Sequence, residues 1–225
     1  DFTMISGQHS NWLAVGEMMR LLQVPTSSYV DHIVKKFHEN LCNDFDKNSK
    51  CTSNHCKKMT PACGLCRSCQ KWWRKELKNV HTKGGNPSGE RNCDGEKWYE
   101  NHWEVAKYYM SALGSDRSNV KDGESTELPA LLNVLEWMKD DVFPGKTRIN
   151  VDDVRKLRSD VRNTWAHAPK QELSDHQKDD YFKIAIDFLE EMKKVYPIKS
   201  TEIDQSIESL ESLKKNGVSD LVKSE

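Results

Sequence analysis

The 225-residue chain balances 34 Lys and Arg against 35 Asp and Glu for a formal net charge of -1, which excludes a whole-molecule field that attracts nucleic acid and leaves any basic patch local. A hydrophobic fraction of 36%, a charged fraction of 31% and a mean hydropathy of -0.81 predict a protein with long surface helices and at least one poorly packed segment. No run approaches the roughly 18–20 apolar residues of a membrane span, and no basic region followed by an apolar stretch opens the chain, so the expectation is a soluble, intracellular protein, cytoplasmic or nuclear.

Ser10 is a suitable N-cap for a first helix over residues 10–23, whose apolar face carries Trp12, Leu13, Val15, Met18, Met19, Leu21 and Leu22. Pro25-Thr26-Ser27-Ser28 reads as a turn that caps a second helix over 28–42, and two short-looped helices in succession predict an antiparallel pair. Residues 43–70 are polar and rich in cysteine; a helix over 70–82 follows, and 82–89 is a loop by its glycine and proline. Trp98, Trp103, Val105, Ala106, Tyr108, Tyr109 and Met110 argue for a helix over 98–113, and 114–126 for a surface loop or disordered connection. A short apolar helix over 127–138 is followed by a break at Pro144-Gly145. Ser174 caps a strong helix over 175–195 that Pro197 ends, and 201–215 places Ile203, Ile207, Leu210 and Leu213 near coiled-coil spacing. No convincing alternating strand occurs, so the predicted class is all-α.

Six of the seven cysteines fall between positions 42 and 69, which fits metal binding in a reducing compartment better than a disulfide framework. The spacing is Cys51-x4-Cys56, Cys63-x2-Cys66-x2-Cys69 and then Cys93. Paired cysteines two to four residues apart suit tetrahedral thiolate zinc, and a segment without aliphatic residues takes its folding free energy from the metal. The expected ligands are Cys56, Cys66, Cys69 and Cys93, with Cys51 and then Cys63 as substitutes and His55 and His81 as nitrogen alternatives. Four cysteinyl ligands leave no open coordination position, so the zinc would be structural. The alternatives are free cysteines in a loop or a disulfide.

The densest chemistry lies in the stretch 151–167, one predicted amphipathic helix with Val151, Val154, Leu157, Val161 and Trp165 on one face and Arg155, Arg158 and Arg162 along a neighbouring stripe. It ends in Arg162-Asn163-Thr164-Trp165-Ala166-His167, followed by Ala168-Pro169. A guanidinium holds phosphate bidentately and an imidazole moves a proton near neutral pH, which are the ingredients of metal-free RNA cleavage. On an ideal helix, five residues at about 100° each leave Arg162 and His167 about 140° apart, so one copy does not easily aim both at one phosphate. The structural alternative pairs Arg162 with Asp160 or Asp187 and packs His167 at a helix end.

The Arg-Asn-x3-His motif followed by an amphipathic helix resembles the HEPN superfamily of helical nucleotide-binding domains. More closely, residues 11–195 resemble an uncharacterised animal family whose vertebrate member is an X-chromosome open reading frame. That resemblance is carried by Asn11-Trp12, the Cys51 and Cys56 region, Cys66-x2-Cys69 with Trp73-Arg74-Lys75-Glu76-Leu77, Asn92-Cys93 and Trp103-Glu104-Val105-Ala106-Lys107. The superfamily resemblance implies an up-and-down helical bundle over 8–196, interrupted by a cysteine-rich zinc-binding insertion at 43–95 and followed by an amphipathic helix and tail at 197–225. It also implies a homodimer through the motif helix, in which Arg162, Asn163 and His167 of two copies form a composite, metal-independent ribonuclease site with RNA as substrate. Many superfamily members are inactive, so the second expectation is a non-catalytic, zinc-stabilised interaction or dimerisation module.

Overall fold

Pro25 does not end the first helix. In the computed structural model, which describes residues 7–48, 56, 64–84, 87–143 and 148–220, helix α1 runs unbroken from Gly7–Asn48 with Pro25 inside it. The expected antiparallel pair of helices is therefore one long helix. The reason lies in the residues read as a turn. Thr26 Oγ donates to the Leu22 carbonyl (2.7 Å) and Ser27 Oγ to the Val24 carbonyl (2.8 Å), so both hydroxyls bond back into the same helix instead of capping a new one. An interior proline costs a helix about 3 kcal/mol. Here buried side chains on both flanks, Met18 and Leu22 before it and Tyr29, Val30 and Ile33 after it, hold the helix across the defect.

The chain forms two compact units. One comprises the described residues within Asp1–Tyr29, Glu127–Leu132 and Ile149–Glu225; the other comprises those within Val30–Thr126 and Asn133–Arg148. Both are helical, and no strand occurs among the described residues.

The first unit contains the start of α1, the motif helix and a helical hairpin. Asn150 caps α5 (Val151–Arg155), its side chain accepting from Asp152 N at 2.9 Å, and Asp152 and Asp153 suit the positive end of the helix dipole. The helix then widens into a π-helical stretch, Lys156–Val161, and returns to α geometry as α6 (Arg162–Ala166). A π turn holds an extra residue, so α6 is rotated from where a uniform helix would put it. Of the expected stripe, Arg155 is exposed and Arg158 and Arg162 are half-buried. Val154, Leu157 and Val161 are buried, as their spacing predicts. Ser174 opens α7 (Asp175–Val195) with a full capping box: its hydroxyl accepts from Gln177 N (3.2 Å) and its own N–H donates to Gln177 Oε1 (3.0 Å). After a 3-10 turn at Pro197–Lys199, α8 (Ser200–Asn216) buries Ile203, Ile207, Leu210 and Leu213. Ion pairs Lys193–Asp204 (2.5 Å) and Lys214–Asp179 (3.7 Å) join opposite ends of α7 and α8, which makes the hairpin antiparallel.

The second unit contains the rest of α1, α2 (Arg67–Asn79), α3 (His102–Ala106) and the end of α4 (Leu128–Trp137). Its core is aromatic, with Phe45, Trp73, Trp98, Trp103, Tyr108 and Tyr109 fully buried. The helix expected over 98–113 is only α3 followed by a 3-10 turn, Lys107–Tyr109. Neighbouring chain takes the carbonyls that would continue it. Asn92 Nδ2 donates to the carbonyls of Lys107 (3.3 Å) and Ser111 (2.8 Å). Gly89 lies so close that a Cβ there would sit 2.3 Å from the Tyr108 carbonyl oxygen and 2.7 Å from those of Lys107 and Met110, an approach open only to glycine. Residues 114–126 are ordered by local bonds, among them Ser125 N to Asp122 Oδ1 (2.7 Å) and Thr126 Oγ to the Asp122 carbonyl (2.6 Å). The expected break at Pro144-Gly145 lies outside the described residues.

Candidate functional site

The motif helix is anchored by the start of α1. Trp12 Nε1 donates to the Trp165 carbonyl and Trp165 Nε1 to the Trp12 carbonyl, both at 2.9 Å, while the two rings stack with centroids 5.0 Å apart. Gly16 admits the ring, since a Cβ there would stand 3.0 Å from Trp165. His9 also stacks on Trp12 (5.8 Å) and its Nδ1 lies 3.0 Å from the Gln171 carbonyl. Asn11 Nδ2 donates to the Leu173 carbonyl (3.1 Å) and to Asp175 Oδ1 (2.8 Å). The segment that follows the motif is thus stitched down residue by residue, and it holds Lys170 and Gln171 at φ 56.

On this frame Asn163 and His167 are exposed and Arg162 is half-buried. Among the described residues no carboxylate pairs with Arg162: Asp187, one expected partner, is taken by Lys183 at 2.5 Å. Arg162 Nη1 instead donates to Asn163 Oδ1 at 3.2 Å. His167 keeps the helical bond from its N–H to the Asn163 carbonyl (3.0 Å), so the angular offset between Arg162 and His167 persists within one chain. Asn163 and His167, four residues apart, share a side of the helix. The arginine–asparagine bond therefore links the guanidinium to a side chain that shares the histidine's side of the helix.

Three of the expected zinc ligands come together. The sulfurs of Cys56, Cys66 and Cys69 all lie within 4.8 Å of one another, with Cys66 and Cys69 Sγ at 3.5 Å. Cys66, the N-cap of α2, also donates its N–H to Cys56 Sγ at 3.4 Å. A tetrahedral zinc with bonds of about 2.3 Å would set sulfurs about 3.8 Å apart, so the donor set and its spacing fit such an ion. Cys93 is not in this group. Its thiol lies 3.3 Å from the Gly89 carbonyl, and burial followed by the charge of Glu104 pushes its pKa far up, which keeps it protonated. His81 is placed elsewhere as well, stacked on Tyr109 with ring centroids 5.4 Å apart. Cys51, Cys63 and His55 lie outside the described residues. Cys42, 3.6 Å from His38 Nε2, is pushed up to about 12 by burial and then by Asp46 and Glu39, so it is a thiol and not an activated nucleophile.

Two features were not anticipated from the residues. The periodicity places Trp12 and Trp165 each on an apolar face, and nothing in those separate patterns signals that they exchange bonds. The second is a buried ion pair, Lys107 Nζ to Glu104 Oε1 at 2.7 Å; its signal is the i,i+3 spacing inside an otherwise apolar and aromatic run.

Residues 4–223 match the sequence family described as "Domain of unknown function (DUF4559)". The chain is similar to the mouse (Mus musculus) "Uncharacterized protein CXorf38 homolog", with 24% identity over 201 residues that cover 84% of this chain and 57% of the mouse protein. The chain therefore spans less than two thirds of that relative's length. No solved structure matches it. Among the described residues, no helix is long and apolar enough to cross a membrane.

Proposed function

The chain belongs to the DUF4559 family, and for this member we propose an intracellular, metal-independent endoribonuclease of HEPN type that works as a homodimer. One observation carries the reading. Among the described residues Arg162 pairs with no carboxylate, and it is hydrogen-bonded to Asn163, which shares a side of the helix with the exposed His167. A second copy facing this helix across a two-fold axis would supply another arginine and another histidine to the same groove. The arginines would hold the scissile phosphate and stabilise the charge that grows on it. One His167 would take the proton of the 2′-hydroxyl as its oxygen bonds to phosphorus. The other would give a proton to the departing 5′-oxygen as the old phosphorus–oxygen bond breaks. The products are a 2′,3′-cyclic phosphate and a free 5′-hydroxyl.

The test is cleavage of single-stranded RNA by the purified protein in the presence of chelator, with end-group analysis of the products. Arg162→Ala and His167→Ala are each expected to lower the rate by about 10²–10⁴-fold. Unchanged cleavage in either variant removes that residue's assignment, and a strict monomer in light scattering removes the composite site.

The cysteine group favours a second reading, a zinc-stabilised interaction module without turnover. Cys56, Cys66 and Cys69 would hold the ion, with the fourth ligand drawn from Cys51, His55 or Cys63, which neighbour them in sequence. Zinc bound by thiolates in this way supplies folding free energy and no chemistry. A zinc-loaded, dimeric protein that leaves RNA intact supports this reading over the first.

A further inference from the structure

A cavity of about 550 Å³ opens in the second unit, away from the motif and from the cysteine group in sequence. At its wall sits the Glu104–Lys107 pair, with relative exposures of only 7% and 5%. Glu104 is fully engaged: one carboxylate oxygen takes the Lys107 ammonium at 2.7 Å and the other takes the Asp94 N–H at 2.7 Å. Lys107 is not. An ammonium has three protons, and Glu104 accepts one of them.

Three more cations line the same space, Lys97, Arg117 and Lys121. Lys97 is offset by Asp94 at 3.2 Å. Arg117 spends one donor, Nη1, on the Arg91 carbonyl at 3.2 Å, and among the described residues neither Arg117 nor Lys121 forms an ion pair. Two of the four cations lining the cavity are therefore matched by its two carboxylates, and two are not. In a chain of net charge -1, that is a local, concave excess of positive charge, where field lines concentrate and anions gather. The size falls in the usual range for small-ligand sites, about 300–1,000 Å³. Among the described residues no aromatic side chain lines the cavity, so these residues offer a nucleobase no stacking surface.

We propose that this cavity is a binding site for a small, multiply charged phosphate ligand of the diphosphate or triphosphate class, recognised through its phosphates. The proposal is independent of the ribonuclease reading, because none of Arg162, Asn163 and His167 lines the cavity.

The experiment is isothermal titration of the full chain with inorganic triphosphate at physiological salt. Saturable, one-to-one binding is expected, with inorganic triphosphate at least as tight as ATP. The double variant Arg117→Glu, Lys121→Glu changes two exposed side chains and is expected to weaken binding by at least about tenfold. Lys71→Glu, an exposed site outside the cavity, is expected to leave it unchanged. The proposal is overturned by the absence of saturable binding at millimolar triphosphate, by equal weakening in the Lys71→Glu protein, or by single-stranded RNA binding more tightly than triphosphate through Arg117 and Lys121.

Discussion

His81 is a buried imidazole whose two nitrogens have different fates. Nδ1 accepts from the Lys83 N–H at 3.1 Å, which assigns the proton of the neutral ring to Nε2, and Nε2 has no hydrogen-bond partner among the described residues. Burial, and then the charge of Lys83, lower its pKa from 6.5 to about 4. In the unfolded chain the same ring binds a proton at higher pH than in the native state. Its contribution to stability is therefore complete above pH 6.5 and is lost as the pH falls toward 4. Urea midpoints measured across that window are expected to drop on acidification. His81→Phe keeps an aromatic ring beside Tyr109 and removes the titration, so it should flatten the dependence; an unchanged slope would place the responsible group elsewhere. Asp31 acts in a lower window. The hydrogen bond from His102 (2.8 Å) is the main cause of its lowered pKa, with the Trp103 indole adding to it, so its share of stability is lost only as the pH falls through that lowered value. Nothing about His81 was legible in the sequence, where a histidine beside a loop read equally well as a zinc ligand. Its place is decided by Tyr109 and Trp137, far along the chain.

Among the elements, α7 shows when a sequence determines its own helix. Ser174 and Gln177 form the cap locally, and Tyr181, Phe182, Ala185, Phe188, Leu189 and Met192 form the buried stripe locally, so the predicted bounds coincide with those observed. Ser174→Ala is expected to lower stability by about 1 kcal/mol, read as a shift of the urea midpoint with an unchanged slope. Pro25-Thr26-Ser27-Ser28 shows the opposite case. A hydroxyl before a helix and a hydroxyl inside one are the same residue type, and only the burial of both flanks decides that Thr26 and Ser27 bond backward. The π stretch Lys156–Val161 was equally hidden, because apolar residues three and four apart satisfy an α and a π turn alike. The segment Trp103–Met110 is buried along its whole length, so it carries no periodicity from which to tell a full helix from a short one.

For the molecule as a whole, the proposed zinc bears on one of the two units. Cys56, Cys66 and Cys69 lie in the second, whose core is otherwise built from aromatic rings. Elemental analysis is expected to find about one zinc per chain. Chelation, Cys66→Ser or Cys69→Ser should remove it and lower the melting temperature, whereas Cys93→Ser should retain it. Metal-free protein with the same melting temperature would end the zinc reading. The Cys66-x2-Cys69 pair was legible because two short-spaced thiols are a local signal; the exclusion of Cys93 was not, because it follows from the Gly89 carbonyl and from burial. The first unit is held differently, and its Trp12–Trp165 exchange has a thermodynamic consequence. Each indole donates to the other's backbone carbonyl and the two rings share one stack, so replacing either removes one donor and disturbs the stack in which the other packs. Trp12→Phe and Trp165→Phe should accordingly be non-additive in a double-mutant cycle, with a coupling of about 0.5–3 kcal/mol. Two residues 153 positions apart are then energetically coupled, so the effect of changing one depends on whether the other is present.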